Sequence, residues 1–323
     1  MRAALYDRNG AARDVLRVEE VDRQEPGPGE VRVRVAFSGV NPTDYKTRAG
    51  STARPIDGFQ IPHQDGSGEI DAVGAGVDQS RIGQRVWIWL AAAGRKWGTA
   101  AEWTVVPARQ AVPLPDGASL ELGACLGVPA MTARHCLLVD GPVTGKTVLV
   151  AGGAGAVGHY AIELAKYVGA TVVSTVSGPE KAELAGKAGA DHVVNYREQD
   201  VARRILDRVS PVDRVVDVAL GANLQLDLAV AAPNAVVVTY AAEPTDPTLP
   251  TRALMNANLV LRFVLLYTIG DHALQQAVED VHAALAAGAL TELPTTVYPL
   301  DEIVAAHEAV EAGTIGKVLI DLR

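Results

Sequence analysis

The sequence predicts an α/β protein in which a β-rich part is joined to a doubly wound parallel sheet. Three observations predict this class. A chain of 323 residues is too long for one typical core and indicates about two domains. Residues 1–110 carry short alternating segments with glycine-rich connections, which are typical of strands. Residues 146–238 repeat a short apolar strand followed by a helical stretch, which is typical of βα units around a parallel sheet.

The β-rich part is predicted from period-two alternation. Residues 31–37 alternate strictly between apolar and polar positions, and the glycines and prolines of residues 25–29 come directly before them. Further short strands are expected at residues 68–73, 85–90 and 101–107. Because the connections are irregular and rich in glycine, we expect a small, partly open barrel.

The change to the second part comes near residue 121, and from there strands and helices alternate. Helical stretches over residues 157–168 and 179–188 end at Gly169 and Gly189, as helices commonly do. Strands are predicted at residues 147–150, 171–176, 192–195, 214–218 and 235–239. Beyond them we expect a strand at 258–267 and a helix at 273–287. The tail has short strands at 295–298 and 317–322 around a helix at 300–312, and we expect it to return to the first part.

Composition and charge exclude several classes of partner. Lys and Arg total 29 and Asp and Glu total 38, so the formal net charge of −9 disfavours nucleic acid and anionic lipid as partners. The two cysteines, Cys125 and Cys136, cannot form a disulfide framework and are expected to be buried thiols. No signal-like apolar stretch follows Met1, and the apolar residues 258–269 are too few to span a bilayer. We therefore expect a cytoplasmic protein with no membrane partner.

A glycine-rich turn is the strongest functional signal. Gly153-Ala154-Gly155-Ala156-Val157-Gly158 follows a predicted strand and opens a predicted helix, which is the context that a dinucleotide-binding turn requires. Gly153 would allow the tight turn, Gly155 would let the backbone approach a diphosphate, and Gly158 would let helix and strand pack closely. The N–H groups at the start of the helix would then face the phosphates. The alternative is a merely structural tight turn.

The end of the next strand favours NADPH over NADH. NAD sites usually place a carboxylate there to bind the ribose hydroxyls, whereas this chain has Ser177. Lys181 lies one turn into the following helix and Tyr196 follows the third strand, so a 2′-phosphate would meet a cation and hydroxyl donors. Glu180 argues against this interpretation unless it points to solvent, and a solvated Lys181 is the structural alternative.

With these motifs in hand, the sequence resembles the zinc-independent quinone oxidoreductases of the medium-chain dehydrogenase/reductase superfamily, the group that includes zeta-crystallin. The resemblance covers nearly the whole chain. It depends on the glycine turn and on blocks that occur in the family's order, at residues 39–44, 66–74, 82–86, 98–103, 188–196 and 316–317.

The resemblance implies a GroES-like catalytic domain at residues 1–121 and 290–323 and a Rossmann NADPH-binding domain at residues 122–289. It implies a catalytic set of Asn41, Tyr45 and Thr132. The cofactor-binding residues that it implies, together with those of the glycine turn, are Asn41, Thr132, Gly153, Ala154, Gly155, Ala156, Val157, Gly158, Ser177, Lys181, Tyr196, Tyr240 and Lys317. Tyr45 stands one residue before the position where the family often has a tyrosine, which is a rotation of about 100° on a helix. A packed surface aromatic is therefore the alternative for Tyr45.

The resemblance also implies an oligomeric state, and the residues at the superfamily's zinc positions indicate whether a metal is bound. Such enzymes are often dimers that join their sheets edge to edge, and residues 259–266 would form that edge as a homodimer contact. Zinc enzymes of the superfamily carry ligands where this chain has Asn41 and residues 62–65. Because His63 and Asp65 alone do not make a zinc site, no metal is expected.

Hydride transfer without a metal is easier to an acceptor that is already activated by conjugation. The predicted function is therefore NADPH-dependent reduction of a quinone or a similar conjugated carbonyl. A reductase of enones and other α,β-unsaturated carbonyls is the alternative that uses the same site. A non-catalytic NADPH-binding sensor or structural protein is the alternative from a different functional class.

Overall fold

The computed structural model describes residues 1–51, 55–243 and 245–323, and these form two compact units. The first unit contains residues 1–128 and 292–323, and the second contains residues 129–291. The boundary expected after residue 121 falls near the start of a long helix that runs from Leu120 to Leu138. The first unit ends inside that helix, at Val128.

The regular elements alternate along the chain much as the sequence predicts. In chain order, the strands are β1 (Arg2–Leu5), β2 (Arg17–Glu20), β3 (Glu30–Val40), β4 (Asp65–Val73), β5 (Arg85–Ile88), β6 (Trp103–Pro107), β7 (Ala111–Pro113), β8 (Thr147–Ala151), β9 (Thr171–Val176), β10 (His192–Asn195), β11 (Val212–Asp217), β12 (Ala231–Thr239), β13 (Val260–Phe263), β14 (Thr295–Pro299) and β15 (Lys317–Asp321). The helices are α1 (Ala12–Val15), α2 (Pro42–Ala49), α3 (Leu120–Leu138), α4 (Ala156–Tyr167), α5 (Pro179–Lys187), α6 (Val201–Leu206), α7 (Leu220–Val230), α8 (Thr251–Ala257), α9 (Asp271–Ala286) and α10 (Ile303–Glu311).

The first unit is organised around the long strand β3. Its valines Val31, Val33 and Val35 are buried and alternate with less buried residues, because successive side chains of a strand point to opposite faces. The main sheet has the order β14-β15-β3-β4-β5-β7, and β6 pairs with β3 as well. The expected β-rich part is therefore present.

The tail of the chain lies in the same sheet. Strand β15 runs antiparallel to β3 and places Val318 opposite Val40, while β4 pairs on the other side and places Asp65 opposite Gly39. The end of β3 is thus flanked by the first residues of two neighbouring strands. This arrangement brings Asn41, which follows β3, between Asp65 and Lys317.

The second unit is a parallel sheet of six strands in the order β10-β9-β8-β11-β12-β13. The chain moves outward from β8 to β10 and then returns to add β11 beside β8. This reversal is the topological switch point of a Rossmann sheet, and ligands of such sheets bind at the carboxyl ends of the strands beside it. Its core is aliphatic and includes Leu149, Val173, Val215 and Val237. The α/β fold class predicted from the sequence is confirmed.

One expected strand is shorter than the sequence suggests. Of residues 258–267, only Val260–Phe263 form a strand, and a single turn of 3₁₀-helix follows at Leu266–Thr268. Leu266 is buried whereas Phe263 is 66% exposed. The apolar run therefore contains an exposed edge strand followed by the buried residue Leu266, and the sequence pattern alone does not distinguish the two.

The two thiols are buried, as expected, and two tryptophans also lie in the interior. Burial raises the pKa of the Cys125 and Cys136 thiols to about 12. Trp87 and Trp89 are core residues, whereas Trp97 is half-buried and packs edge-on against Phe59 at 5.3 Å between ring centres. Among the helices of the described ranges, none is long and apolar enough to cross a membrane.

Candidate functional site

The glycine turn of the second unit joins β8 to α4 beside the switch point of the sheet. Helix α4 begins at Ala156, and its N-cap residue Gly155 has extended backbone and no side chain to cap the helix. The first N–H groups of an α-helix have no partner within the helix. The N-terminus of α4 therefore presents uncapped N–H groups and the positive end of the helix dipole.

The three glycines of the fingerprint are glycine for different physical reasons. A Cβ at Gly153 would lie 2.1 Å from Ser174 Oγ, and a Cβ at Gly158 would lie 2.3 Å from the carbonyl oxygen of Gly152. A Cβ at Gly155 would meet nothing nearer than 3.4 Å. Gly153 and Gly158 are thus required by the packing of the protein itself, whereas the side of Gly155 is open to a ligand.

The sequence assigned the tight turn to Gly153, and the structure corrects this. The residue with left-handed backbone is Gly152, with φ of 72°, while Gly153 packs against Ser174 and Ile162. Only glycine adopts that backbone region without strain. The fingerprint spacing starts at Gly153, so a motif search passes over the glycine that makes the turn.

The residues predicted for the 2′-phosphate lie at the ends of adjacent strands. Ser177 follows β9 and Tyr196 follows β10, and the Tyr196 N–H donates to the carbonyl of Val176 at 2.9 Å. Lys181 is half-buried near the start of α5, and Glu180 beside it is exposed. The structure therefore brings Ser177 and Tyr196 to one edge of the sheet, and the exposure of Glu180 weakens the argument against a phosphate there.

Tyr240 and Thr132 also belong to the second unit. Tyr240 follows β12, and its N–H donates to the carbonyl of Asp217 at the end of β11, at 3.3 Å. Burial raises the pKa of the Tyr240 phenol, and Cys136 and Asp217 nearby raise it further. Thr132 is buried on α3. Tyr240 is thus a neutral hydroxyl at the carboxyl edge that carries the glycine turn.

The first unit holds a buried polar cluster, here called the Asn41 cluster and consisting of Asn41, Asp65 and Lys317. The Lys317 ammonium donates to Asn41 Oδ1 at 2.5 Å and to Asp65 Oδ2 at 3.0 Å. Asn41 Nδ2 donates to Asp65 Oδ2 at 2.7 Å. All three residues are at most 3% exposed. The sequence predicted Asn41 and Lys317 as site residues but weighed Asp65 only as a metal ligand.

Helix α2 begins at the same point. The backbone N–H of Asn41 donates to the Asp44 carboxylate at 2.7 Å, and Pro42 occupies the first turn. Burial, with a smaller contribution from the neighbouring Asp65, raises the pKa of Asp44 to about 7 although the Asn41 N–H opposes the shift. Tyr45 lies on this helix and is half-buried. Because Tyr45 lies on a helix, its displacement by one residue does correspond to a rotation, and its contact with a substrate stays a prediction.

A second buried network joins two histidines that lie far apart in the sequence. His63 Nε2 and His307 Nε2 are 3.0 Å apart, and His63 Nδ1 lies 2.8 Å from Ser38 Oγ. Ser38 Oγ is 2.7 Å from Thr99 Oγ1, which donates to the backbone carbonyl of Asp65. Because 244 residues separate the two histidines, no local signal in the sequence could have found this pair.

The direction of these hydrogen bonds follows from the last one. Since the Thr99 hydroxyl donates to a carbonyl, it must accept from Ser38, and Ser38 must then accept from His63 Nδ1–H. His63 Nε2 is left as an acceptor for His307 Nε2–H. Burial lowers the pKa of both histidines, to about 3 for His307, so both rings are neutral.

Comparison with known proteins supports this architecture. A family model described as an alcohol dehydrogenase GroES-like domain matches residues 27–116, and one described as zinc-binding dehydrogenase matches residues 156–283. The chain is 35% identical to a Pseudomonas aeruginosa quinone oxidoreductase over 60% of this chain and 58% of that one. It is 29% identical to a Burkholderia 2-haloacrylate reductase over 99% of this chain and 98% of that one. The match thus spans less than two thirds of the Pseudomonas protein.

Solved structures match over the full length. The Escherichia coli quinone oxidoreductase solved with NADPH superposes with a TM-score of 0.85 and 25% identity, covering 99% of this chain and 100% of that one. A NAD-dependent alcohol dehydrogenase superposes with a TM-score of 0.89 and 26% identity, covering 99% of each chain. The two neighbours share the fold and differ in the coenzyme that their names state.

One matching family model is described as zinc-binding, and the residues around Asn41 show whether a zinc ion fits there. A catalytic zinc usually takes three protein ligands. The Asn41 amide is bonded at both ends, and the Asp65 carboxylate already faces the Lys317 ammonium. Over the described ranges, no three His, Cys, Asp or Glu side chains come close enough to share an ion. The residues at this position do not fit a zinc ion.

The two units, the strand order with its switch point, the uncapped glycine turn and the family matches agree with one another. The chain belongs to the medium-chain dehydrogenase/reductase superfamily and resembles the quinone oxidoreductases within it.

Proposed function

We propose that this chain is an NADPH-dependent reductase of quinones or similar conjugated carbonyl compounds. The observation that carries the proposal is the open side of Gly155 at the uncapped N-terminus of α4, beside the switch point of the parallel sheet. A dinucleotide diphosphate fits such a position, because uncapped N–H groups and the helix dipole both favour negative charge. The coenzyme, when bound there, supplies the hydride.

NADPH is proposed over NADH because of the residues at the ends of β9 and β10. Ser177 occupies the position where a carboxylate would bind the ribose hydroxyls of NAD. Lys181 and Tyr196 add a cation and a hydroxyl near the same edge of the sheet. The E. coli relative that was solved with NADPH supports this choice, whereas the NAD-dependent neighbour makes it necessary to measure both coenzymes.

The substrate class follows from the polar residues of the first unit. Oxidation of an alcohol needs a strong stabiliser for an alkoxide, which zinc supplies as a Lewis acid. The Asn41 cluster offers an amide and hydrogen-bond donors, which suit the weaker demand of an oxygen on a conjugated acceptor. Asn41 and Tyr45 of the first unit and Thr132 of the second are the residues that we propose for substrate and nicotinamide contacts.

A turnover assay with two substrate classes tests the proposal. The wild-type chain with NADPH should reduce at least one quinone or one enone well above the uncatalysed rate, measured as loss of reduced-coenzyme absorbance. Higher kcat/KM for quinones supports quinone reduction. Higher kcat/KM for α,β-unsaturated acids or ketones supports the alternative, which the Burkholderia 2-haloacrylate reductase favours. Tight NADPH binding without turnover of either class would instead indicate a sensor or structural protein.

We also propose that two copies of the chain pair through the edge strand β13. Val260, Phe263 and Leu265 are 40%, 66% and 53% exposed on this edge, and an uncovered apolar strand is a liability for a monomer. Sedimentation equilibrium should then give twice the chain mass of 33.8 kDa. A single-chain mass at micromolar concentration would contradict this part of the proposal.

A further inference from the structure

Asp65 is the common acceptor of three separate segments of the first unit. Its Oδ2 accepts from Asn41 and from Lys317, and its Oδ1 accepts from the backbone N–H of Val128 at 2.7 Å. The side chain is fully buried. A buried carboxylate with one cation and two further donors is well satisfied, so its geometry is fixed by all three segments.

The cluster leaves only one orientation for the Asn41 amide. The Lys317 ammonium has no acceptor, so the amide atom that faces it must be the oxygen. The Asp65 carboxylate, charged beside that ammonium, only accepts, so the atom that faces it must be the nitrogen. A flipped amide would place its NH₂ group against the ammonium and its oxygen against the carboxylate. One Nδ2–H of the amide remains for another partner.

The backbone around the cluster is shaped to admit it. A Cβ at Gly39 would lie 2.3 Å from the carbonyl oxygen of Ala124 and 3.0 Å from Lys317 Cε. A Cβ at Gly127 would lie 2.2 Å from Asp65 Oδ1. Glycines on β3 and α3 therefore let the two elements close around the ion pair. A buried ion pair is a weak source of stability, since apolar side chains of the same volume often serve as well. The ion pair is therefore better explained by a role in orienting the Asn41 amide than by a role in stability.

We propose that Asp65 and Lys317 are positioning residues that hold the Asn41 amide in one orientation for the reaction. Lys317 then acts through Asn41 and not by its own contact with the coenzyme, since two of its three N–H bonds are used inside the cluster. This inference rests on the proposed function and gives it a positioning pair.

A double-mutant cycle between Asn41 and Lys317 tests the inference. The variants are Asn41→Ala, Lys317→Met and the two combined, and the readouts are kcat and KM for an accepted quinone or enone. If Lys317 acts through Asn41, each single variant loses about tenfold in kcat/KM and the double variant also loses about tenfold. A product of the two losses, about a hundredfold, would show independent roles and overturn the proposal.

A second variant separates positioning from stability. Lys317→Met alone leaves the Asp65 charge buried without a partner and will itself destabilise the fold. The combined variant Asp65→Asn with Lys317→Met removes both charges at nearly constant volume, so its melting temperature should stay close to that of the wild type. We expect this variant to lose kcat about as Lys317→Met does, because Asn41 can now flip. Full kcat in the uncharged variant would overturn the proposal. A wild type that reduces no acceptor would overturn the proposed function and this inference with it.

Discussion

The two units present their candidate site residues by different means. The second unit offers backbone groups: uncapped N–H groups at the start of α4 and an open side at Gly155. The first unit offers side chains that are buried and bonded to one another, as in the Asn41 cluster and the chain from His307 to Thr99. Backbone sites need only a turn of the right shape. Side-chain sites need several distant segments to meet.

Two buried carboxylates, one in each unit, also differ in the number of their hydrogen-bond donors. The carboxyl oxygens of Asp227 in the second unit are buried without a hydrogen-bond partner, and burial raises the pKa of this group to about 8. Asp65 in the first unit is as deeply buried but has three donors. The two carboxylates thus differ in their hydrogen bonds: Asp65 accepts from three donors, whereas neither oxygen of Asp227 accepts from any. Burial alone therefore does not decide the state of a carboxylate, because the donors around it determine whether its charge is stabilised.

The largest expected effect distinguishes the two kinds of glycine in the turn. Gly158→Ala should lower the free energy of unfolding by about 3 kcal/mol or more, because the new Cβ would lie 2.3 Å from a backbone oxygen that cannot move away. Gly155→Ala should leave the fold within about 1 kcal/mol, since its surroundings are open. It should nevertheless weaken coenzyme binding about tenfold by blocking close approach of the diphosphate.

Denaturant unfolding and coenzyme titration of the two variants check this prediction. Gly186→Ala is the matched control, because a Cβ there meets nothing within 4 Å inside helix α5, and it should stabilise slightly. If Gly155→Ala bound coenzyme as tightly as the wild type, the open side of Gly155 would not be the place where the diphosphate approaches the backbone.

A smaller effect is expected from the neutral histidines of the first unit. Burial and then Arg48 lower the pKa of His307 to about 3, whereas in the unfolded chain it titrates near 6.5. A group whose pKa falls on folding contributes full stability above its unfolded pKa and loses it as the pH drops. Between pH 7.5 and 5.5, His307 should therefore cost about 1.4 kcal/mol of unfolding free energy.

The measurement is the stability difference between the two pH values in wild type and in His307→Gln, which should lose less by about that amount. Burial, then His307 and Lys317, also lower the pKa of His63, so His63 contributes to the same slope. His272→Gln is the control, because His272 is exposed on α9. An unchanged slope in His307→Gln would mean that His307 is not kept neutral in the folded chain.

The sequence predicted what is local and missed what is long-range. The strands β9 and β10 begin and end where the period-two and apolar patterns place them, and helix α4 starts within one residue of its expected position. Amphipathic periodicity and glycine stops act over a few residues, so one sequence suffices to find them.

The remaining features depend on tertiary contacts that no local pattern records. The role of Asp65 depends on Lys317, which lies 252 residues away in sequence. Only the fold shows this, because β15 brings Lys317 to the same end of the sheet. Strand β13 is short because Leu266 turns into the core, which the apolar run did not reveal. Gly152, the residue with left-handed backbone, stands just outside the fingerprint.

We propose above all that a nicotinamide dinucleotide carrying a 2′-phosphate binds at the glycine turn and at Lys181. Equilibrium titration of the wild type, of Lys181→Ala and of the control Lys187→Ala with both coenzymes tests it directly. Lys187 lies at the other end of α5 and pairs with Glu183. Lys181→Ala should weaken NADPH by about 10- to 100-fold, the loss of one charge-assisted hydrogen bond, and leave NADH and the control nearly unchanged. No saturable binding of either coenzyme to the wild type at millimolar concentration would contradict the account.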